Sequence, residues 1–164
     1  MQEDIIIRDY NETDLDGLMT VFNYFAINSY AVYSEVALSR EHFISMLAQT
    51  RIALVVEVNN QIIGFGYISK FKPFPNFNKT GLLTYFILPE FTGKGIGKNL
   101  FNILISKGKA IGIINYLAHI SSKNEQSLQF HKKMGFEEAG LFKNVAKKFG
   151  EPFDMVWVQK QFND

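Results

Sequence analysis

The sequence predicts an α/β domain built on a mixed sheet of about seven strands with about four helices. Three observations carry that expectation. Short runs rich in β-branched and aromatic residues recur along the chain. Two of them flank Asn59-Asn60, a pair able to take the positive φ angles of a tight hairpin turn. A strand-like stretch from Thr80 to Leu88 runs through three alternate glycines, Gly93, Gly95 and Gly97, into a helical pattern.

In chain order, Ile5-Ile6-Ile7 suits a buried strand that gives way to polar turn residues at Asp9. Thr13, with Asp16 three residues on, is placed to cap a helix whose Leu15, Leu18, Met19 and Phe22 recur at helical spacing. Ala26 to Leu38 carries Tyr30 and Tyr33 without clear periodicity and reads as a loop or broken helix. Ser39 opens a weaker helix with Phe43, Met46 and Leu47 on one face. Ile52 to Val58 and Gln61 to Lys70 form the hairpin around Asn59-Asn60. Phe71 to Lys79, with Pro73 and Pro75 among its phenylalanines, is a loop whose aromatics need burial or a ligand.

Thr80 to Leu88 is a strand stopped by Pro89. Ile96, Leu100, Ile103 and Leu104 mark an amphipathic helix that fades by Gly108 to Gly112. Ile113 to Ile120 is the next strand, and Ser121 to Asn124 can cap a helix from Glu125 to Met134 that Gly135 ends. Phe136 to Val145 and Pro152 to Phe162 close the chain as antiparallel strands around Lys147-Lys148-Phe149-Gly150, a basic turn expected at the solvated surface. Residues 1–164 show no repeat, low-complexity tract or linker and read as one domain.

Composition narrows the function. The 17 Lys and Arg nearly cancel the 16 Asp and Glu, leaving a formal charge of +1, which argues against nucleic-acid binding by bulk charge. With no cysteine, disulfides, thiolate nucleophiles and Cys-ligated metals are excluded. No run reaches the roughly 18 apolar residues of a membrane span, and Met1-Gln2-Glu3-Asp4 is acidic where a secretion signal is basic, so a cytoplasmic location is expected.

The chemistry concentrates at Thr92-Gly93-Lys94-Gly95-Ile96-Gly97-Lys98. Glycines between a strand and a helix leave backbone N–H groups unobstructed, the first helical turn has unpaired donors, and two lysines add positive charge. That suits a pyrophosphate or another polyanion. A P-loop would need glycine at position 92 and Ser or Thr at 99, and a dinucleotide fingerprint would need G-x-G-x-x-G in the first βα unit. Neither pattern is met. The glycines can alternatively serve only a tight turn and close packing.

Thr92 to Gly97 resembles the pyrophosphate-binding signature of the GNAT superfamily of acyl-CoA-dependent N-acetyltransferases, with Thr at its first position. The run Asn124-Glu125-Gln126-Ser127-Leu128-Gln129-Phe130-His131-Lys132-Lys133-Met134-Gly135-Phe136 independently looks like the family's segment after the fifth strand. His131 where Tyr is commoner, Asn28-Ser29-Tyr30 to Glu35 and Gly66-Tyr67 resemble the phosphinothricin acetyltransferase branch. The resemblance implies the GNAT fold, with a V-shaped cleft between strands 4 and 5 and acetyl-CoA as co-substrate. It further implies that Phe86, Ile87 and Leu88 pair with the pantetheine arm, that Thr92, Gly93, Lys94, Gly95, Ile96, Gly97 and Lys98 hold the pyrophosphate, and that Asn124 and Ser127 line the cleft.

Acetyl transfer to an amine needs a neutral amine, a polarised thioester and a proton for the thiolate. His131 is the candidate to donate or relay that proton, the alternative being a packed histidine bonded to a backbone carbonyl. The branch carries its base, a Glu, at the position of Leu82, and Tyr85, Glu35 or a water chain are the candidates to substitute, since a base need not be a carboxylate if the amine loses its proton to solvent before attack. Tyr30, Tyr33, Phe74 and Phe77 suggest an apolar acceptor pocket or a dimer contact, while the branch's acceptor-binding Arg has no counterpart. The expected function is acetyl transfer to a small-molecule primary amine, in a homodimer, without metal. A non-catalytic acyl-CoA sensor and a protein or peptide N-acetyltransferase are the alternatives.

Overall fold

The computed structural model describes residues 4–163. Its seven-stranded sheet runs in the order β1-β2-β3-β4-β5-β7-β6, with β1 at Ile5–Asp9, β2 at Thr50–Val58, β3 at Gln61–Lys70, β4 at Thr80–Ile87, β5 at Asn115–Ser121, β6 at Glu137–Lys148 and β7 at Glu151–Gln161. The helices are α1 (Leu15–Asn28), α2 (Arg40–Leu47), α3 (Ile96–Ala110) and α4 (Glu125–Lys133). The mixed α/β architecture expected from the sequence is thus observed.

Local chemistry accounts for most boundaries. Asn59 and Asn60 adopt φ of 49° and 63° and close the β2–β3 hairpin. The oxygen of Ser39 accepts from the His42 N–H and starts α2. The entry to α1 differs from the Thr13 cap expected: Asn11 and Asp14 form a reciprocal capping box around a short 3-10 turn, and Asp14 is also held by a two-pronged pair with Arg8 at 2.7 and 2.8 Å.

Two cores sandwich the sheet. On one face Leu54, Val56 and Ile68 pack under Leu100, Phe101 and Leu104 of α3. On the other, Val55, Phe65 and Tyr67 meet Leu18, Val21 and Phe22 of α1 and Phe43 of α2. Period-two alternation along β2 sends successive residues to opposite cores. At Gly66 any Cβ would lie 2.8 Å from Leu104, so this glycine lets α3 sit close to β3.

β4 and β5 run parallel, but their pairing covers only Thr80–Asn115, Gly81–Tyr116 and Leu82–Leu117. Beyond Leu82 the strands diverge while β4 stays bonded to β3 as far as Ile87 and β5 to β7 as far as Ser121. The sheet therefore opens between two strands that are each supported from behind.

In the β6–β7 turn Lys147, Phe149 and Gly150 are exposed as expected, but Lys148 departs from the expectation of a solvated basic loop. Lys148 is 1% exposed, and its ammonium donates to the carbonyls of Ala26 at 2.8 Å and Val32 at 2.5 Å. Ala26 lies in the last turn of α1, where carbonyls lack helical partners. Burial pulls the Lys148 pKa down, opposed by the charge of Glu35.

Candidate active site

The opening between β4 and β5 continues into a cavity of about 550 Å³ lined from both faces of the sheet. Thr84 and Tyr85 are consecutive on β4 and so point to opposite sides. On the α3/α4 side the lining includes Tyr85, Phe130 and His131; on the α1/α2 side it includes Phe25, Tyr33, Met46, Tyr67 and His119.

At one mouth stands the glycine loop. Gly93 and Gly95 have φ of 77° and 79°, a region that penalises any residue with a Cβ. A Cβ at either would meet nothing within 4 Å, so these glycines border open space rather than packed atoms. Gly95 caps α3 without a side-chain bond, and the first helical hydrogen bond there runs from the Asn99 N–H to the Gly95 carbonyl. The N–H groups of Ile96, Gly97 and Lys98 accordingly precede the helical ladder. The first turn of α3 carries no acid, and the Lys98 side chain borders the cavity. Donors, helix dipole and cation fit a pyrophosphate, and the unpaired β4 edge past Leu82 fits an extended, amide-rich arm.

Deeper in, Tyr85 and His131 form a bonded pair. The Tyr85 hydroxyl lies 2.5 Å from His131 Nε2, with the rings stacked at 5.3 Å. His131 Nδ1 lies 2.7 Å from the Ser127 carbonyl, which can only accept. Nδ1 therefore carries the proton, Nε2 the lone pair, and Tyr85 donates. Burial lowers the His131 pKa, against the raising effect of the Ser127 carbonyl, which favours this neutral form. Burial also raises the Tyr85 pKa well above its ordinary 10, so the phenol keeps its proton.

A second pair lies across the sheet. The Tyr33 hydroxyl is 2.7 Å from His119 Nδ1, Tyr33 stacks on Phe153 at 5.6 Å, and His119 abuts Trp157 at 4.9 Å. Burial pushes the Tyr33 pKa up to about 12 and pulls that of His119 down.

Of the residues singled out in the sequence, Tyr33, Tyr85, Phe86, Ile87, Thr92, Gly93, Gly95, Gly97, Lys98, Asn124, Ser127 and His131 border the cavity. Asn124 also caps α4 by accepting from the Ser127 N–H. Leu88, Lys94 and Ile96 do not border it: the Leu88 N–H bonds the Ile63 carbonyl, Ile96 is in the core, and Lys94 lies over the Phe91 ring. Glu35 also stands outside, because its carboxylate accepts the Phe149 N–H at the β6–β7 turn. Tyr30 packs on Phe149. Phe77 packs on Phe71, which meets Trp157, and Phe74 is 59% exposed. These three therefore form no part of the pocket wall. His119 went unnoticed in the sequence; the one signal for it is its place two residues after Leu117, on the face that opens once β4 and β5 part.

Residues 7–157 match the family model for the Acetyltransferase (GNAT) domain. An L-methionine sulfoximine/L-methionine sulfone acetyltransferase of Pseudomonas paraeruginosa is 27% identical over 158 residues, 93% of this chain and 92% of that protein. A phosphinothricin acetyltransferase of Sinorhizobium meliloti, solved in complex with acetyl-CoA, superposes with a TM-score of 0.88 at 25% identity, covering 96% of this chain and 88% of that one. A ribosomal-protein-alanine N-acetyltransferase of Brucella melitensis gives 0.86 at 29% identity, covering 96% and 99%.

Proposed function

The chain belongs to the GNAT acetyltransferase family, and from that premise we propose that it moves the acetyl group of acetyl-CoA directly to the primary amine of a small molecule, an amino acid or amino-acid analogue. The observation that carries this reading is the opening of the sheet beyond Leu82–Leu117, which joins the glycine loop on one side to an aromatic pocket on the other. Acetyl-CoA would lie with its pyrophosphate on the N–H groups of Ile96, Gly97 and Lys98, its arm along β4 and its thioester in the gap. The amine would enter past Tyr33, Phe25, Met46 and Tyr67, walls that suit a small acceptor.

Tyr85 is the proton source for the departing thiolate in this reading. His131 is its positioning residue: with Nδ1 bonded to Ser127, its Nε2 lone pair holds the Tyr85 oxygen at the gap, and the hydroxyl turns off Nε2 to give its one proton to the thiolate. The phenol regains its proton from solvent through the cavity mouth. Use of acetyl-CoA suits a cytoplasmic enzyme; among the described residues no helix is long and apolar enough to cross a membrane. The edge strand β6 exposes Leu141, Phe142 and Val145, which supports a homodimer joined along that edge.

The name of the Brucella protein favours a second reading, acetylation of a protein N-terminus. One experiment separates the options: titration calorimetry with acetyl-CoA, then thiol release with L-methionine sulfone, phosphinothricin, other L-amino acids and an alanine-terminated peptide. Binding followed by release with amino acids is the expected result. Release only with the peptide would favour the second reading, and binding without release from any amine would leave a non-catalytic sensor.

A further inference from the structure

Among the described residues the cavity lining contains no aspartate or glutamate, so the proton of an incoming ammonium group finds no carboxylate there. The lining side chains that can exchange a proton are Tyr33, Tyr67, Tyr85, Lys98, His119 and His131. Burial raises the pKa of all three phenols, which keep their protons at neutral pH, and Lys98 belongs to the glycine loop, which leaves the histidines. His131 has both ring nitrogens engaged, by Ser127 and Tyr85. His119 has one engaged, Nδ1 by Tyr33; among the described residues no hydrogen bond occupies Nε2, and no unpartnered side-chain nitrogen or oxygen is sealed from solvent. Its lone pair is therefore open to the cavity, on the α1/α2 side where the acceptor enters.

We propose that His119 is the general base of the transfer, taking the acceptor's ammonium proton on Nε2 while Tyr33 holds its ring. The proposal requires Nδ1–H to donate to the Tyr33 oxygen, the tautomer that frees Nε2. The ammonium gives one proton to Nε2, and the neutral amine's lone pair forms the N–C bond at the acetyl carbonyl. The C–S bond breaks with its electron pair on sulfur, and the thiolate takes a proton from Tyr85. The nitrogen sheds its second proton as the amide forms, so one proton in net goes to solvent. Tyr33 from the segment after α1 bonds His119 and stacks on it, Trp157 from β7 abuts it, and Tyr67 from β3 with Leu82 and Thr84 from β4 line the same cavity; of these Tyr33 and Tyr67 titrate, and burial raises the pKa of both. Burial lowers the His119 pKa and keeps the ring neutral, ready to accept.

The assignment rests on the acetyl-transfer reading, and the test separates the two. In His119→Gln, kcat/KM for L-methionine sulfone should fall about 100-fold or more at neutral pH. The deficit should shrink as pH rises toward the pKa of the acceptor amine, where solvent supplies neutral amine without a base. Acetyl-CoA affinity by calorimetry should stay within about threefold. Tyr33→Phe should produce a smaller fall with the same pH trend, and covers the case of a misfolded glutamine variant. A wild-type pH profile in His119→Gln, or a deficit of equal size at every pH, would overturn the proposal while transfer itself stood. Absence of thiol release from the wild-type enzyme with every amine would overturn the transfer reading and the base with it.

Discussion

Replacing Tyr85 by phenylalanine removes one oxygen and leaves the ring where it is. The ring stacks on His131 at 5.3 Å and meets Phe130 at 5.4 Å and Phe101 at 6.5 Å edge to face, so Tyr85→Phe opens no void beyond a hydroxyl. The cost to stability comes from His131 Nε2, which loses its donor: about 1–3 kcal/mol for a buried acceptor, less what is regained by no longer burying the hydroxyl. A net loss of about 1–2 kcal/mol corresponds to a Tm drop of roughly 3–6 °C in a chain of this size. Loss of a proton donor to the leaving thiolate is larger, about 10²–10⁴ in kcat or roughly 3–5 kcal/mol of barrier. The two quantities are thus separable in one protein. Thiol release at saturating acetyl-CoA and acceptor gives kcat, calorimetry gives the acetyl-CoA Kd, and thermal unfolding gives Tm. The expected pattern is a large fall in kcat, a Kd within about threefold and a few degrees in Tm. A folded variant with kcat within about threefold of wild type would refute the role of Tyr85 and the reading of its bond to His131 as functional.

Other predictions follow from the same contacts. Gly95→Val forces a branched residue into φ of 79° at a cost of about 1–2 kcal/mol locally and should weaken acetyl-CoA at least tenfold. Gly97→Ala, whose Cβ would make an ordinary 3.5 Å contact with Phe130, should bind almost as wild type, and calorimetry on both decides whether the loop's backbone is the ligand. Lys148→Met keeps bulk but orphans the Ala26 and Val32 carbonyls that the Lys148 ammonium latches together; about 2–4 kcal/mol of stability should go, with a raised acceptor KM and an unchanged acetyl-CoA Kd, and an unaltered Tm would count against that latch. Burial depresses the pKa of His119 and His131 in the folded state, so on acidification the unfolded chain takes up protons first. Stability is complete above the ordinary histidine range and should fall as pH drops through it, by up to about 1.4 kcal/mol per pH unit for each histidine while the folded form stays neutral; a flat Tm between pH 7.5 and 5.5 contradicts the neutral assignment.

What the sequence made legible was local. Asn59-Asn60, Ser39 and the Gly95-to-Leu104 pattern each act within a few residues, and each element was found close to where it was expected. The misreadings share a different cause. Lys148 looks like surface until it is seen to serve carbonyls 116 and 122 residues earlier, and Glu35 looks free until its partner 114 residues later is known. Thr13 lost the cap to Asn11 because a 3-10 turn precedes the helix, which shifts the frame by two residues. His119 depends on where two parallel strands part, a property of how β4 and β5 are backed by β3 and β7 rather than of either strand's residues.

The Lys148 latch bears on how the protein is made. A ribosome releases α1 and the segment after it long before residue 148, and through that interval the Ala26 and Val32 carbonyls have no ammonium to receive. The sheet can begin to pair from β1 to β5, yet the Tyr33 wall waits for the β6–β7 hairpin. Any product of early termination before β6 ends would carry the glycine loop without a finished acceptor side, and a late step of folding would be the docking of the β6–β7 turn onto α1 and the segment after it.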